Sequence, residues 1–275
     1  MLDGATKQAV HEHWDAASCG ERYLVGSDDV ARFEAQAEAR YRLEPFIFEF
    51  ARFHEGRGRR GLEIGVGLGA DFVQWLRAGA HMTGVDLTAR AVEQTRERAA
   101  LYGFRPDVSV ADAEDLPFAD ASFDFVYSWG VLHHSPDTAK AVREVHRVLE
   151  PGGTARVMVY HGPSWVGWML WARHAAAKGT PWRSARDVVA EHLESPGTKV
   201  YSVAEAEALF DGFEVRRCEP VLCPADLMLN APSAKHRGLL DRVAWKLWPR
   251  PLVRALGDRF GSFLLIEARK PGGAR

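Results

Sequence analysis

The chain has 275 residues, 47% apolar and 26% charged, with a formal net charge of -2. That length supports one α/β domain with added elements, and the composition excludes a disordered or fibrous chain. The near-neutral balance supplies no global field for nucleic acid. Three cysteines (Cys19, Cys218, Cys223) are too few and too odd in number for a disulfide scaffold, and they fit a reducing compartment.

Residues 1–55 read as a helical cap. Val30, Phe33, Ala37 and Tyr41 repeat at helical spacing and Pro45 breaks that helix. Phe46, Ile47, Phe50 and Phe53 form a second apolar stripe. The stretch His13 to Tyr23 is dense in aromatic and polar groups without a period, and reads as a loop or frayed helix lying over something. The first residues lack the apolar run of a signal peptide, and the longest apolar stretch, near Trp165 to Trp171, is too short to span a bilayer. The expected location is cytoplasmic.

From Arg60 strands and helices alternate, which argues for a parallel sheet with helices on both faces. Strands are expected at 62–65, 81–85, 107–111, 123–129 and 154–160. The intervening helices start at Asp71, Thr88 and Asp137 or Thr138, and the third stops at Pro151-Gly152-Gly153. After Tyr160 the alternation breaks. Ser164 to Lys178 reads as a helix carrying Trp165, Trp168 and Trp171 at i, i+3 and i+6. Turn-rich sequence follows, with Trp182 and Ser195-Pro196-Gly197-Thr198-Lys199, before a helix capped by Ser202. Residues 213–222 read as a sixth strand. A second insertion, 224–261, holds a basic helix broken at Pro249 and Pro251, and 262–268 is a last apolar strand. Cys218 and Cys223 sit five apart in a predicted strand on opposite faces, so neither a disulfide nor a metal pair is expected, and no metal site is assigned.

The chemistry gathers at the strand C-termini, where open α/β sheets bind ligands. Glu63 is followed by Gly65, Gly67 and Gly69 and then a helix start. Such a turn brings backbone N–H groups and a helix N-terminus against a ligand without Cβ interference. Asp86 ends strand two, where a carboxylate can accept two hydrogen bonds from ribose hydroxyls. Asp112-Ala113-Glu114 ends strand three, where a side-chain oxygen can accept from an adenine amino group. Ser128-Trp129-Gly130 ends strand four, beside the reacting centre. Together they describe a site for an adenosine ligand. A nicotinamide fingerprint fits less well: the third glycine comes one position early and Glu63 stands inside the strand.

These motifs, with Gly84-Val85-Asp86-Leu87, Asp115-Leu116-Pro117-Phe118, Phe123 to Ser128, Val131-Leu132-His133-His134 and Val148 to Gly153, resemble the class I S-adenosylmethionine-dependent methyltransferases. The pattern is most similar to the small-molecule branch that includes the ubiquinone and menaquinone biosynthesis enzymes. The likeness is tight over about 60–162 and loose elsewhere.

The resemblance implies a Rossmann-like, doubly wound, seven-stranded sheet, mostly parallel with the last strand antiparallel. It implies one methyltransferase domain over 1–275: a helical cap (1–55), a cofactor core (56–162), a tryptophan-rich lid (163–212) and a sheet-completing segment with a basic insertion (213–275). S-adenosylmethionine is the implied cofactor and S-adenosylhomocysteine its product. Gly65 to Gly69 would approach the methionine part, and Glu63 would order that turn and its water contacts to the ammonium. Asp86 would hold the ribose, Leu87 would pack on adenine, Asp112 would take the adenine amino group, and Ala113 would offer a backbone N–H, with Glu114 beside them. The Ser128–Trp129 backbone would lie near the cofactor amino acid, and Tyr23 would contact the donor from the N-terminal lid.

His133 and His134 are the candidate catalytic residues, as base or as substrate hydrogen-bonder, because histidine titrates near neutrality. Tyr160, His161, Trp165 and Trp168 are the candidate acceptor contacts, and they point to a small apolar or aromatic acceptor. The basic stretch 235–259 is a candidate contact to an anionic membrane surface. Two competing readings are methylation of nucleic acid and a cofactor-binding protein without catalysis. Against the first, Ser128-Trp129-Gly130-Val131 stands where base-amino methyltransferases carry an Asp/Asn-Pro-Pro-aromatic motif.

Overall fold

The computed structural model describes residues 7–229, 246 and 248–272. Its centre is a sheet in the order β3-β2-β1-β4-β5-β7-β6. The strands are β1 (Arg60–Ile64), β2 (His81–Asp86), β3 (Asp107–Val110), β4 (Phe123–Trp129), β5 (Leu149–Tyr160), β6 (Glu214–Val221) and β7 (Phe263–Arg269). β1 through β5 pair in parallel, and β7 runs antiparallel between β5 and β6.

Period-two alternation divides the sheet's side chains between two cores. On one face Leu62, Val126, Leu264, Ile266 and Ala268 pack beneath α6 (Thr138–Val148) and α9 (Val203–Leu209). On the other, Phe125, Tyr127, Phe263 and Leu265 meet Phe72 and Trp75 of α4 (Ala70–Arg77) and Phe50 of α3 (Phe46–Ala51). Burying each such aromatic or branched side chain contributes roughly 1.5–3 kcal/mol, and two covered faces hold a parallel sheet in place.

The helix starts follow local chemistry. Asp28 caps α2 (Asp29–Leu43), Thr88 caps α5 (Ala89–Leu101) and Ser164 caps α7 (Trp165–His174). Ser184 caps α8 (Ala185–His192), and Ser202 and Glu205 form a full capping box on α9. The irregular stretch over 13–23 is partly ordered: α1 (Lys7–Ala16) precedes a short 3-10 turn at Glu21–Tyr23.

Two expectations are corrected. β5 begins at Leu149, five residues early, and runs through Pro151-Gly152-Gly153. The glycines form an irregularity in the pairing with β4 rather than a stop, because Gly152 and Gly153 exchange backbone hydrogen bonds with Lys270 at 2.9 Å each. β6 ends at Val221, so Cys223 is not a strand residue. Of the basic insertion, 230–245 and 247 lie outside the described residues, and with them about half of the candidate membrane contact, 235–259. Its described end holds α10 (Arg250–Ala255). Among the described residues no helix is long and apolar enough to cross a membrane.

Candidate active site

The glycine turn follows β1 at the centre of the sheet. Gly65, Gly67 and Gly69 all take positive φ (83°, 51° and 71°). A Cβ on Gly65 would meet Val131 Cγ2 at 2.1 Å, whereas one on Gly67 would point into open space. Gly65 is therefore required by protein packing, and Gly67 holds backbone next to a void. Gly69 caps the start of α4 and packs on Thr95; it lines neither of the two cavities that adjoin the turn.

Two cavities adjoin this turn. The first, about 160 Å3, is lined by Gly65, Gly67, Asp86, Leu87, Asp112, Ala113, Trp129 and His134, with Lys7 and Trp14 of α1 above them. The Asp86 carboxylate accepts from Gly67 N (3.2 Å) and from Thr88 N and Oγ1 (3.0 Å each), which fixes its position at the end of β2. Burial pushes its pKa up while these donors pull it down. Asp112 accepts from Glu114 N at 2.9 Å, and the Lys7 ammonium bridges Asp112 and Glu114. Glu114 itself lines neither cavity. It accepts from Asp137 N at 2.9 Å and from the Ser135 hydroxyl, and so anchors the loop after β4.

The second cavity, about 600 Å3, lies on the other side of the turn. It is lined by Glu63, Tyr23, Trp129, Tyr160, His161 and Glu194 among others. Glu63 is 3% exposed and its Oε2 has no hydrogen-bond partner. Burial raises its pKa well above the carboxylate range, and the nearby Asp71 and Asp86 charges add to this. Asp71 goes the other way. Arg40 holds it low, with Tyr41 OH (3.0 Å) and Tyr127 OH (2.9 Å) also donating to it. A buried carboxylate in a cavity wall with one oxygen lacking a donor is suited to a cationic ligand, and an ammonium supplies the missing donor. The open space at Gly67, the orphaned Glu63 oxygen and the two carboxylates of the first cavity fit S-adenosylmethionine.

The loop after β4 carries the histidines in a 3-10 turn, Leu132–His134. His134 lines the first cavity, and Trp14 packs edge-on against it at 5.1 Å. Its Nδ1 lies 2.8 Å from Ser195 Oγ and 3.2 Å from Thr198 Oγ1, and its Nε2 lies 3.4 Å from Glu194 Oε2. His133 is fully buried, lines neither cavity, and is sandwiched between His134 (4.1 Å) and Tyr160 (4.2 Å). Burial lowers its pKa well below the usual imidazole value. Tyr160 is a buried phenol whose pKa is pushed well up by desolvation, with Glu194 beside it. His161 Nδ1 is tied to Gly261 O at 2.8 Å.

Other expected residues sit elsewhere. Trp165 and Trp168 line neither cavity. Trp165 packs on Trp248 at 6.2 Å and Trp168 on Phe260 at 4.9 Å, joining α7 to the insertion before β7. Their expectation as acceptor contacts is corrected: the face of α7 that meets the cavity is Val166 and Gly167. The Ser128 side chain is buried and donates to Ile64 O at 3.0 Å, so it fastens β4 to the glycine turn. Sequence reasoning missed Lys7, Arg40, Glu194, Ser195 and Thr198. Glu194 stands in turn-rich sequence without a period, some sixty residues from the histidines it meets, so no local pattern marks it.

A family model described as "Methyltransferase domain" matches residues 62–157. The methyltransferase GfsG of Streptomyces halstedii is 34% identical over 129 residues, 46% of this chain and 45% of that protein. The 27-O-demethylrifamycin SV methyltransferase of Amycolatopsis mediterranei is 39% identical over 103 residues, 35% of this chain and 36% of that one. The chain thus spans less than half the length of these curated relatives. Among solved structures, the [4+2]-cyclase SpnF superposes with a TM-score of 0.61 at 22% identity, covering 98% of both chains. An S-adenosylmethionine-dependent methyltransferase from Mesorhizobium loti gives 0.53 at 22% identity, covering 86% of this chain and 99% of that one. At such identity these superpositions establish the fold alone.

Proposed function

We propose that this chain, whose residues 62–157 are a methyltransferase domain, transfers the methyl group of S-adenosylmethionine to a small apolar or aromatic metabolite. The observation that carries the reading is the buried Glu63, with its unpartnered Oε2, at a glycine turn flanked by the Asp86 and Asp112 carboxylates. When bound, the cofactor supplies an activated methyl group on a sulfonium, so the protein has to position and desolvate rather than activate. Gly65 and Gly67 admit the methionine part, and Glu63 receives its ammonium. Asp86 holds the ribose, Leu87 covers the adenine, and Asp112 and Ala113 read its edge. Tyr23 closes the methionine side from the cap.

The acceptor lies in the second cavity, walled by Trp129, Tyr160, Val166, Val189 and Phe263. Its polar end meets Glu194, which hydrogen-bonds it or, with His134 behind it at 3.4 Å, accepts its proton as the new bond forms. Relatives named for methylation of oxygen, such as the rifamycin enzyme above, favour a hydroxyl acceptor. A protein named as a [4+2]-cyclase shares the fold, so the fold alone leaves open a cofactor-binding protein with other chemistry. Calorimetry with S-adenosylhomocysteine tests the donor half, and wild-type affinity in Asp86→Ala would refute it. Incubating metabolite extracts with labelled S-adenosylmethionine tests the transfer: label must appear in a small molecule, and binding without any labelled product would favour the cofactor-binding reading.

A further inference from the structure

We propose that His133, His134 and Glu194 bind a divalent transition-metal ion at the edge shared by the two cavities. The sequence gives no metal-ligand spacing here. The site exists only because the loop after β4 meets the turn after α8.

The first support is His133. It is 0% exposed, and neither ring nitrogen has a hydrogen-bond partner. Leaving both nitrogens of a buried imidazole unpaired is costly, and native proteins rarely do it. A metal ion satisfies a ring nitrogen that has no protein partner.

The second support is the way His134 is held. Ser195 and Thr198 fix Nδ1 through their hydroxyls, at 2.8 and 3.2 Å, while Nε2 has no hydrogen-bond partner. Metal-ligating histidines are oriented in this way, one nitrogen tied to a polar group and the other free for the ion. The turn that supplies the hydroxyls is itself closed by Thr198 Oγ1 donating to Ser195 O at 2.7 Å. It is also fastened to the histidine loop by Lys199 N donating to His133 O at 3.1 Å.

The third support is spacing. His134 Nε2 and Glu194 Oε2 are 3.4 Å apart, outside normal hydrogen-bond length. Ligand atoms about 2.1 Å from one ion lie roughly 3.0–3.4 Å from each other. One donor atom from each of the three residues falls within 4.8 Å of the others.

Two imidazoles and one carboxylate select zinc, iron, cobalt, nickel or manganese over magnesium and calcium, which prefer oxygen. Three protein ligands leave coordination positions open, as in sites that take a substrate atom. Of the three ligands Glu194 lines the second cavity, so an acceptor oxygen held there is the group that would complete the coordination. That role rests on the acceptor reading above, but metal binding does not, and it is measured without donor or acceptor.

The test uses the full chain stripped with a chelator and titrated with Co2+ and Zn2+, followed by visible absorption and calorimetry. One equivalent should bind, with the d–d spectrum of a nitrogen- and oxygen-ligated cobalt. Glu194→Gln and His134→Gln should each weaken binding on the order of 100-fold. The surface control His81→Gln should bind as wild type does. His133→Asn removes the third ligand. Because that residue is fully buried, its circular dichroism is compared with wild type, and Glu194→Gln carries the test if it does not fold. No stoichiometric binding, or equal affinity in wild type and Glu194→Gln, overturns the site and leaves His134 and Glu194 as a proton-sharing pair. Absence of S-adenosylhomocysteine binding would instead count against the methyltransferase reading, so the two failures are distinguishable.

Discussion

The proposed donor half and the cover half of the candidate site are built by opposite means. The proposed donor half draws mainly on one run, 62–134, at the strand ends, with Lys7, Trp14 and Tyr23 of the cap closing over it. The cover is assembled from α1, α2 and the segments after β5, which are far apart in sequence. In the donor half fixed backbone does the positioning: positive-φ glycines, and an Asp86 carboxylate held by two backbone N–H groups and a hydroxyl. In the cover, side chains from separate elements meet, as Glu194 and Ser195 meet His134. Backbone geometry tolerates few sequences and leaves a readable trace. Side-chain meetings across long separations leave almost none.

That contrast predicts graded outcomes. The largest effect is expected at Gly65→Ala. Its Cβ would stand 2.1 Å from Val131 Cγ2 at a φ of +83°, so it should cost about 2–4 kcal/mol of stability and abolish binding of S-adenosylhomocysteine. Denaturant melts and calorimetry would show both, and an unchanged variant would remove the basis for ranking backbone above side chain. Asp86→Ala comes next. On the proposed binding mode it loses two charged hydrogen bonds to ribose, each worth about 1.5–3 kcal/mol, which should weaken that ligand on the order of 100-fold or more.

Glu63→Gln sharpens the comparison through pH. Because burial raises the Glu63 pKa, the free fold holds that proton more tightly than the unfolded chain does. Its contribution therefore favours the fold at low pH and is lost as pH rises through the raised value. An ammonium ligand needs the ionised form. Wild-type affinity for S-adenosylhomocysteine should thus rise with pH, with protons released on binding. Glu63→Gln should lose that dependence, bind roughly tenfold more weakly, and melt at a higher temperature than wild type at neutral pH when unliganded. Calorimetry in buffers of different ionisation enthalpy separates these outcomes.

The cover should respond differently. Tyr160→Phe removes a buried phenol beside Glu194 and should change the acceptor KM by up to about tenfold, while donor affinity moves less than about twofold. Equal losses for both ligands would mean that the halves are not separable. The smallest effect is expected at Ser202→Ala. It removes the capping box of α9, at a residue that lines neither cavity, and should cost about 1 kcal/mol in a thermal melt without touching binding.

The sequence by itself determined the sheet and its order of strands and helices, and it singled out Glu63, Gly65, Gly67, Asp86 and Asp112, which the fold brings to the walls of two adjoining cavities. Strand and helix periods, caps and a glycine turn are local properties, written within a few residues of where they act. It misjudged the start of β5, where pairing with the residue after β7 overrode a local turn signal. It also pointed Trp165 and Trp168 at the acceptor, because helical spacing identifies an apolar face but not which neighbour covers it. Only the tertiary structure decided that those tryptophans pack on Phe260 and Trp248, and that Val166 and Gly167 face the cavity. It alone brought Glu194, Ser195 and Thr198 onto His134. The reason is chain separation: some sixty residues lie between those partners, and nothing local records which side chains the fold will bring together.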